Sequence, residues 1–265
     1  MLRTKKMHTN GPLGRAATAG TVVDRAEALK RAASTDLPKF QRELLRSIAD
    51  RSPSVRGQAV LLVSEHGLVD ALPLVLPLLR DSNAEVRYNA AECVGLLQIN
   101  TGQVYATLRA LLSDKERLVR IQAAESLALI GDRGALPKLA QLLSDRDSVV
   151  RSYAATAIAD LNGSAYARDV EKALRAEKEE LARVGLLEAS YRFGRREVLG
   201  ELLSLLRSDD YHVRCAVANA LEFLAVRRSE RTLVFSALKR AARAPLAFAD
   251  GSSAKRVLRQ LKRAD

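Results

Sequence analysis

Apolar positions along the chain recur at helical spacing rather than in alternation. Val86, Ala90, Val94 and Leu97 share one helical face, and Val119, Ala123, Leu127 and Ile130 share another. Before each such stretch lies a second amphipathic segment, as in Ala135–Leu143. Turn signals separate the segments: His66-Gly67, Asn100-Thr101-Gly102, Gly131-Asp132, Asn162-Gly163 and Gly194. No period-2 stretch is long enough for a sheet. The pattern predicts pairs of helices and an all-α chain.

The pairs repeat. LLRDSNAEVRYNAAECVGLL starts at Leu78, LLSDKERLVRIQAAESLALIG at Leu111 and LLSDRDSVVRSYAATAIADLNG at Leu142. Their shared frame is L-L-x-D-x4-V-R-x2-A-A. Anchored on the acidic position, Asp50, Asp81, Asp114, Asp145, Glu177 and Ser208 align with spacings of 31, 33, 31, 32 and 31 residues. Six residues past every anchor stands an arginine: Arg56, Arg87, Arg120, Arg151, Arg183 and Arg214. Two residues past four of the anchors stand Ser52, Asn83, Asp147 and Asp210, all favourable N-caps, and Pro53 suits the first helical position. The alanine pairs let neighbouring helices approach closely. Self-similarity at this period marks a stacked-repeat architecture.

The frame D-x4-V-R-x2-A-A and the linker-plus-helix segment GDRGALPKLAQLL at Gly131–Leu143 resemble the HEAT-like repeats of the phycobilisome-lyase type. The resemblance covers roughly residues 37–241 and is clearest over Leu78–Gly163. It implies an all-α, right-handed α-solenoid of stacked antiparallel helix pairs, about six of them, in which each pair's second helix lines a concave face. The repeat from Glu177 departs from the frame with Ala182 and Leu186-Leu187, and the repeat from Ser208 lacks the acid. Residues 1–36 are expected to be a basic N-terminal segment with a short helix, and residues 242–265 a basic capping helix.

The periodic arginines are expected to be structural: each guanidinium bonds the loop carboxylate or carbonyls of a neighbouring repeat. The acidic anchors are expected to satisfy backbone N–H groups in the turns. Positions seven, eight and eleven past the anchors define the surface of the concave face. They put Gln58, Tyr88, Asn89, Glu92, Gln122, Glu125, Ser152, Tyr153, Thr156, Glu188 and Asn219 on one polar, mildly acidic strip. Tyr88, Asn89, Glu92, Gln122, Glu125, Tyr153, Thr156 and Glu188 are the candidate partner-binding residues there, with the glutamates suited to a basic peptide and the tyrosines to anchoring. Wet-face helix formers give the same pattern.

Charge changes the picture at the ends. The chain's 265 residues carry a net charge of +12 and a pI near 10.0. Residues 1–40 hold +5 of it, residues 41–225 hold −1, and residues 226–265 hold +8. Arg240, Arg243, Lys255, Arg256, Arg259, Lys262 and Arg263 form a candidate docking surface for an acidic protein or a phosphate backbone. A solvated capping helix over Ser253–Lys262, with Val257, Leu258 and Leu261 on its apolar side, gives the same density.

Motifs for catalysis are missing. The three histidines, His8, His66 and His212, lie in no metal-ligand spacing, and no phosphate loop or nucleophile elbow occurs. No cofactor is expected. Deoxyhypusine hydroxylases, built on this fold, carry His-Glu pairs that this chain lacks, and HEAT-like alkylpurine glycosylases use Trp-bearing clefts, whereas this chain has no Trp. Two cysteines are too few for a disulfide framework, the N-terminus has no apolar stretch resembling a leader, and no apolar run approaches a membrane span, so the expected location is the cytoplasm. Three readings follow: a non-catalytic scaffold or adaptor for another protein, a nucleic-acid binder using its basic ends, and a bilin-lyase-type subunit.

Overall fold

The computed structural model describes residues 44–224, 228–243 and 259, apart from the side chains of Phe223, Arg228, Ala242 and Arg243. The expected basic segment 1–36 lies outside the described residues, as does nearly all of the expected capping helix at 242–265. Every described element is helical. The residues divide into two compact units, Met1–Ile130 and Gly131–Asp265.

The first unit holds α1 (Pro53–Glu65), α2 (Leu72–Val75), α3 (Ala84–Leu96), α4 (Gly102–Leu111) and α5 (Arg117–Leu129). The second holds α6 (Leu136–Leu142), α7 (Ser148–Asp160), α8 (Ala167–Ala176), α9 (Glu180–Arg192), α10 (Leu199–Ser204), α11 (Tyr211–Phe223) and α12 (Arg228–Arg243). Several outer helices are short and edged with 3-10 turns. Around α2 the cause is local: Pro77 lacks the N–H that an α-helix would donate to the Pro73 carbonyl, and the chain tightens into a 3-10 segment over Leu76–Arg80.

The helices α1, α3, α5, α7, α9 and α11 each have 13 residues and each begin three residues past an anchor, and local signals set the start of all six and the end of the first five. At the start, the anchor side chain accepts the N–H two residues on, in every repeat: Asp50 from Ser52, Asp81 from Asn83, Asp114 from Glu116, Asp145 from Asp147, Glu177 from Glu179 and Ser208 from Asp210. Asn83, Asp147 and Asp210 then cap the helix with their own side chains, while Ser52 makes no side-chain cap. At the end, the residue seventeen past the anchor turns left-handed: Gly67 (φ 62°), Gln98 (φ 56°), Gly131 (φ 75°), Asn162 (φ 52°) and Gly194 (φ 101°). The following N–H closes the motif by donating back to the helix, as Ile99 does to Val94 at 3.0 Å. In the second repeat the signal Asn100-Thr101-Gly102 marks the end of the connection: the helix ends at Leu96, the chain turns left-handed at Gln98, and Thr101 caps the start of α4.

Within the first unit α1, α3 and α5 pack side by side, with the 3-10 segment Leu76–Arg80 laid against α3 and α4 against α5; within the second, α7, α9 and α11 pack side by side. Val86, Ala90, Val94, Ala123 and Leu127 are fully buried. Small residues bring the neighbours close. A Cβ at Gly95 would stand 2.7 Å from the Ser126 hydroxyl, and one at Gly185 would stand 2.4 Å from the Ser152 carbonyl oxygen.

Candidate functional site

The arginines six past the anchors share one geometry at the loop. Nη1 donates to the carbonyl of the arginine's own anchor: Arg56 to Asp50, Arg87 to Asp81, Arg120 to Asp114, Arg151 to Asp145, Arg183 to Glu177 and Arg214 to Ser208. Nε and Nη2 reach the next repeat. They fork onto Asp81 from Arg56, onto Asp114 from Arg87 and onto Glu177 from Arg151, at 2.5–2.8 Å. The neighbour supplies the carboxylate, and the arginine's own loop supplies the carbonyls. Burial by itself would raise the carboxyls of Asp81, Asp114 and Glu177. Their arginine forks, backbone N–H donors and nearby positive charge outweigh it and hold all three below the usual range. The anchor after Arg183 is Ser208, which has no carboxylate, and Nε and Nη2 of Arg183 both donate to one oxygen of Glu201 on α10 instead.

In the first unit the predicted strip is only partly accessible. Tyr88 and Glu92 are half-buried on α3 and Glu125 on α5 reaches solvent. Asn89 and Gln122, expected on the open strip, are packed between helices at 6% and 7% exposure. Both sit where adjacent helices meet: Asn89 donates to the Gly57 carbonyl at 3.3 Å. Gln122 donates to Ser126, whose hydroxyl in turn donates to the Ala91 carbonyl at 2.8 Å. Glu125 touches water but is hemmed in by protein, and that desolvation, with the charge of Glu92, pushes its carboxyl up to about 7. Burial and the two glutamates also raise the Tyr88 phenol. Beneath them Cys93 is buried, its thiol pushed up to about 12 by desolvation and Glu92.

In the second unit Tyr153 on α7 is exposed, and Thr156 is half-buried with its hydroxyl turned back to the Tyr153 carbonyl at 3.0 Å. Glu188, the third glutamate expected on the strip, is buried at 8% exposure, because α9 closes on α7 through the bare backbone of Gly185. Desolvation drives its carboxyl up to about 7, with Asp160 adding to the rise and Arg192, 3.6 Å away, opposing it. Of the eight candidate partner-binding residues, Tyr88, Glu92 and Glu125 in one unit and Tyr153 and Thr156 in the other therefore remain accessible.

Of the basic end, Arg240 is exposed on α12 and Arg259 is exposed. Lys255, Arg256, Lys262 and Arg263 lie outside the described residues, as does the Arg243 side chain. A cleft of about 390 Å³ in the second unit is lined by Arg207, Arg214 and Arg240 together with Leu203, Leu206, Leu233 and Ala237. The sequence reading placed Arg214 with the structural ladder and Arg240 with the basic end, and it did not single out Arg207. The signal that joins them is the repeat spacing itself, which carries the next anchor to residues 239–241. Among the described residues, no group of three or more His, Cys, Asp or Glu is placed to hold a metal ion, and no helix is long and apolar enough to cross a membrane.

A family model for HEAT repeats matches residues 42–127 and 72–159. Among curated proteins, none shows significant sequence similarity to the chain. Among solved structures, the complex of CpcE and CpcF of phycocyanin lyase from Nostoc sp. PCC7120 is similar with a TM-score of 0.58 at 17% identity, covering 83% of this chain and 94% of that one. YibA from E. coli is similar with a TM-score of 0.54 at 19% identity, covering 99% of this chain and 100% of its own. At these identities the likeness is one of fold.

Proposed function

The chain is a HEAT-like repeat protein, and from that premise we propose that it works as a scaffold that binds another protein. The observation that carries the reading is the accessible part of the strip, where Tyr88, Glu92 and Glu125 stand together on adjacent helices. A tyrosine between two carboxylates is suited to a basic or mixed segment: the ring offers apolar area with little entropy loss, and the acids select for cations. Tyr153 and Thr156 extend the same chemistry on the second unit. Repeat surfaces serve this use because they offer area from many small, similar elements. The basic C-terminal end, with Arg240, Arg243, Lys255, Arg256, Arg259, Lys262 and Arg263, is suited to a second, acidic partner. The cytosol is the compartment where two unpaired thiols are expected.

A phosphate backbone laid along the strip would meet Glu92 and Glu125, and like charges oppose such contact. The test is capture of partners from native lysate, with and without nuclease, by the wild type, by Glu92→Lys/Glu125→Lys, and by charge reversal of Lys255, Arg256, Arg259, Lys262 and Arg263. The scaffold reading expects nuclease-resistant capture, with each variant losing a different protein. It is overturned if both variants keep every protein, or if capture disappears with nuclease and duplex DNA binds the wild type below about 1 μM at physiological salt.

A further inference from the structure

The last member of the arginine ladder lacks the fork that Arg56, Arg87 and Arg151 make. Arg56, Arg87 and Arg151 each fork onto an acid from the next repeat, and Arg183, deprived of one by Ser208, takes Glu201. Arg214 keeps the loop half of the geometry: Nη1 donates to the Ser208 carbonyl at 2.6 Å and the Asp209 carbonyl at 2.9 Å. Its outer edge differs. The residue is 7% exposed, and its buried Nε meets no acceptor among the described residues. Spacings of 31–33 residues carry the next anchor to 239–241, where Lys239, Arg240 and Ala241 stand. Cations occupy the segment where the frame calls for an acid.

The cleft opens at this edge. Arg207 and Arg240 add two exposed guanidinium groups to its rim, and no carboxylate lines it among the described residues. Two nearby acids are engaged elsewhere: Glu180 accepts the Ser208 hydroxyl, and Asp210 caps α11. Leu233, 49% exposed, and Ala237 give the cleft an apolar wall on α12. A buried guanidinium N–H without an acceptor is costly, so the site favours any group that can supply one.

We propose that this cleft binds a carboxylate presented on an acidic turn of a partner protein, held by the outer edge of Arg214 and flanked by Arg207 and Arg240. The partner turn would do between two proteins what Asp81, Asp114 and Glu177 do within this one. Planar fork-on-carboxylate pairing is the arrangement this chain builds repeatedly, and the apolar wall suits a peptide better than a bare ion. The inference rests on the scaffold reading and gives its basic end a specific contact.

The probe is a capped peptide with the chain's own loop sequence LSDKER, titrated into isotope-labelled full-length protein while the arginine Nε–H signals are followed by NMR. Two controls replace its Asp with Asn or with phosphoserine. The Asp peptide should move the Arg214 signal and leave Arg87 unmoved, with Kd on the order of 1 mM, and the Asn peptide should bind about tenfold more weakly. Arg240→Glu, at an exposed site, should abolish the shift even if Arg214→Lys fails to fold. Equal shifts with the Asp and Asn peptides, no shift up to about 10 mM, or binding of the phosphoserine peptide alone overturns the carboxylate assignment. The titration needs no natural partner. A positive result alongside failed protein capture would refute the scaffold and leave the site standing, whereas capture with a silent titration would remove only the site.

Discussion

Replacing Arg87 with alanine removes a fork and a loop tie at once. Nε and Nη2 reach the Asp114 carboxylate at 2.8 Å each, and Nη1 reaches the carbonyls of Asp81 at 2.9 Å and Ser82 at 3.1 Å. Both side chains of the pair are only 9% exposed. Removing one partner of so enclosed a pair leaves an uncompensated carboxylate, and costs on the order of 3 kcal/mol. Arg183→Ala is the internal comparison. It loses the same class of loop bonds, but its pair with Glu201 is 24% and 43% exposed, where an ion pair contributes about 1 kcal/mol or less. The difference of about 2 kcal/mol between the two variants isolates the enclosed fork. Urea denaturation followed by far-UV circular dichroism measures both. Arg87→Lys should recover little, because an ammonium cannot span both carboxylate oxygens. The double variant Arg87→Ala/Asp114→Ala should cost clearly less than the sum of the singles. Equal losses for Arg87→Ala and Arg183→Ala, or additive singles, would refute the view that the enclosed forks join successive repeats.

Gly185→Ala should destabilise the protein by about 3 kcal/mol, since its Cβ would press on the Ser152 backbone, whereas Gly200→Ala, with nothing within 4 Å, should stabilise it by about 0.5–1 kcal/mol; thermal melts of the pair decide it. Gln98→Gly should stabilise by about 1 kcal/mol by relieving a left-handed side chain, and a lowered urea midpoint would contradict this. Glu188 takes up its proton in the folded state up to about pH 7, well above the usual carboxylate range, so stability should fall as pH rises through that interval, and Glu188→Gln should flatten the fall. Asp81, Asp114 and Glu177 have the opposite sign: their contribution is complete above the ordinary carboxylate pKa and should be lost as pH falls below about 4, visible as acid unfolding that Arg87→Ala brings to higher pH.

The sequence by itself determined what is local and periodic. An anchor side chain and an N–H two residues on, an arginine six residues on, and a thirteen-residue helix all lie within one repeat, so one repeat's residues are enough to specify them and recurrence makes them legible. The helix pairs, the anchors' role in the turns and the ladder's register were all readable in this way. Tertiary structure decided whatever depends on the distance between repeats. Asn89, Gln122 and Glu188 have the composition of a wet face, yet they are covered because Gly57, Gly95 and Gly185 let the next helix approach until only small groups fit between. Gln98 turns left-handed although no glycine marks it, because the Leu97–Asn100 segment must turn the chain toward α4 at the same point as at Gly67, Gly131, Asn162 and Gly194 in their repeats. Arg183 and Arg214 stand at the same six-residue spacing from their anchors as Arg87, and their different fates follow from what the fold brings to their outer edges: an acid on α10 for one, and a cleft flanked by cations for the other. A side chain's spacing is written in its own repeat, but its partner is written in the neighbour.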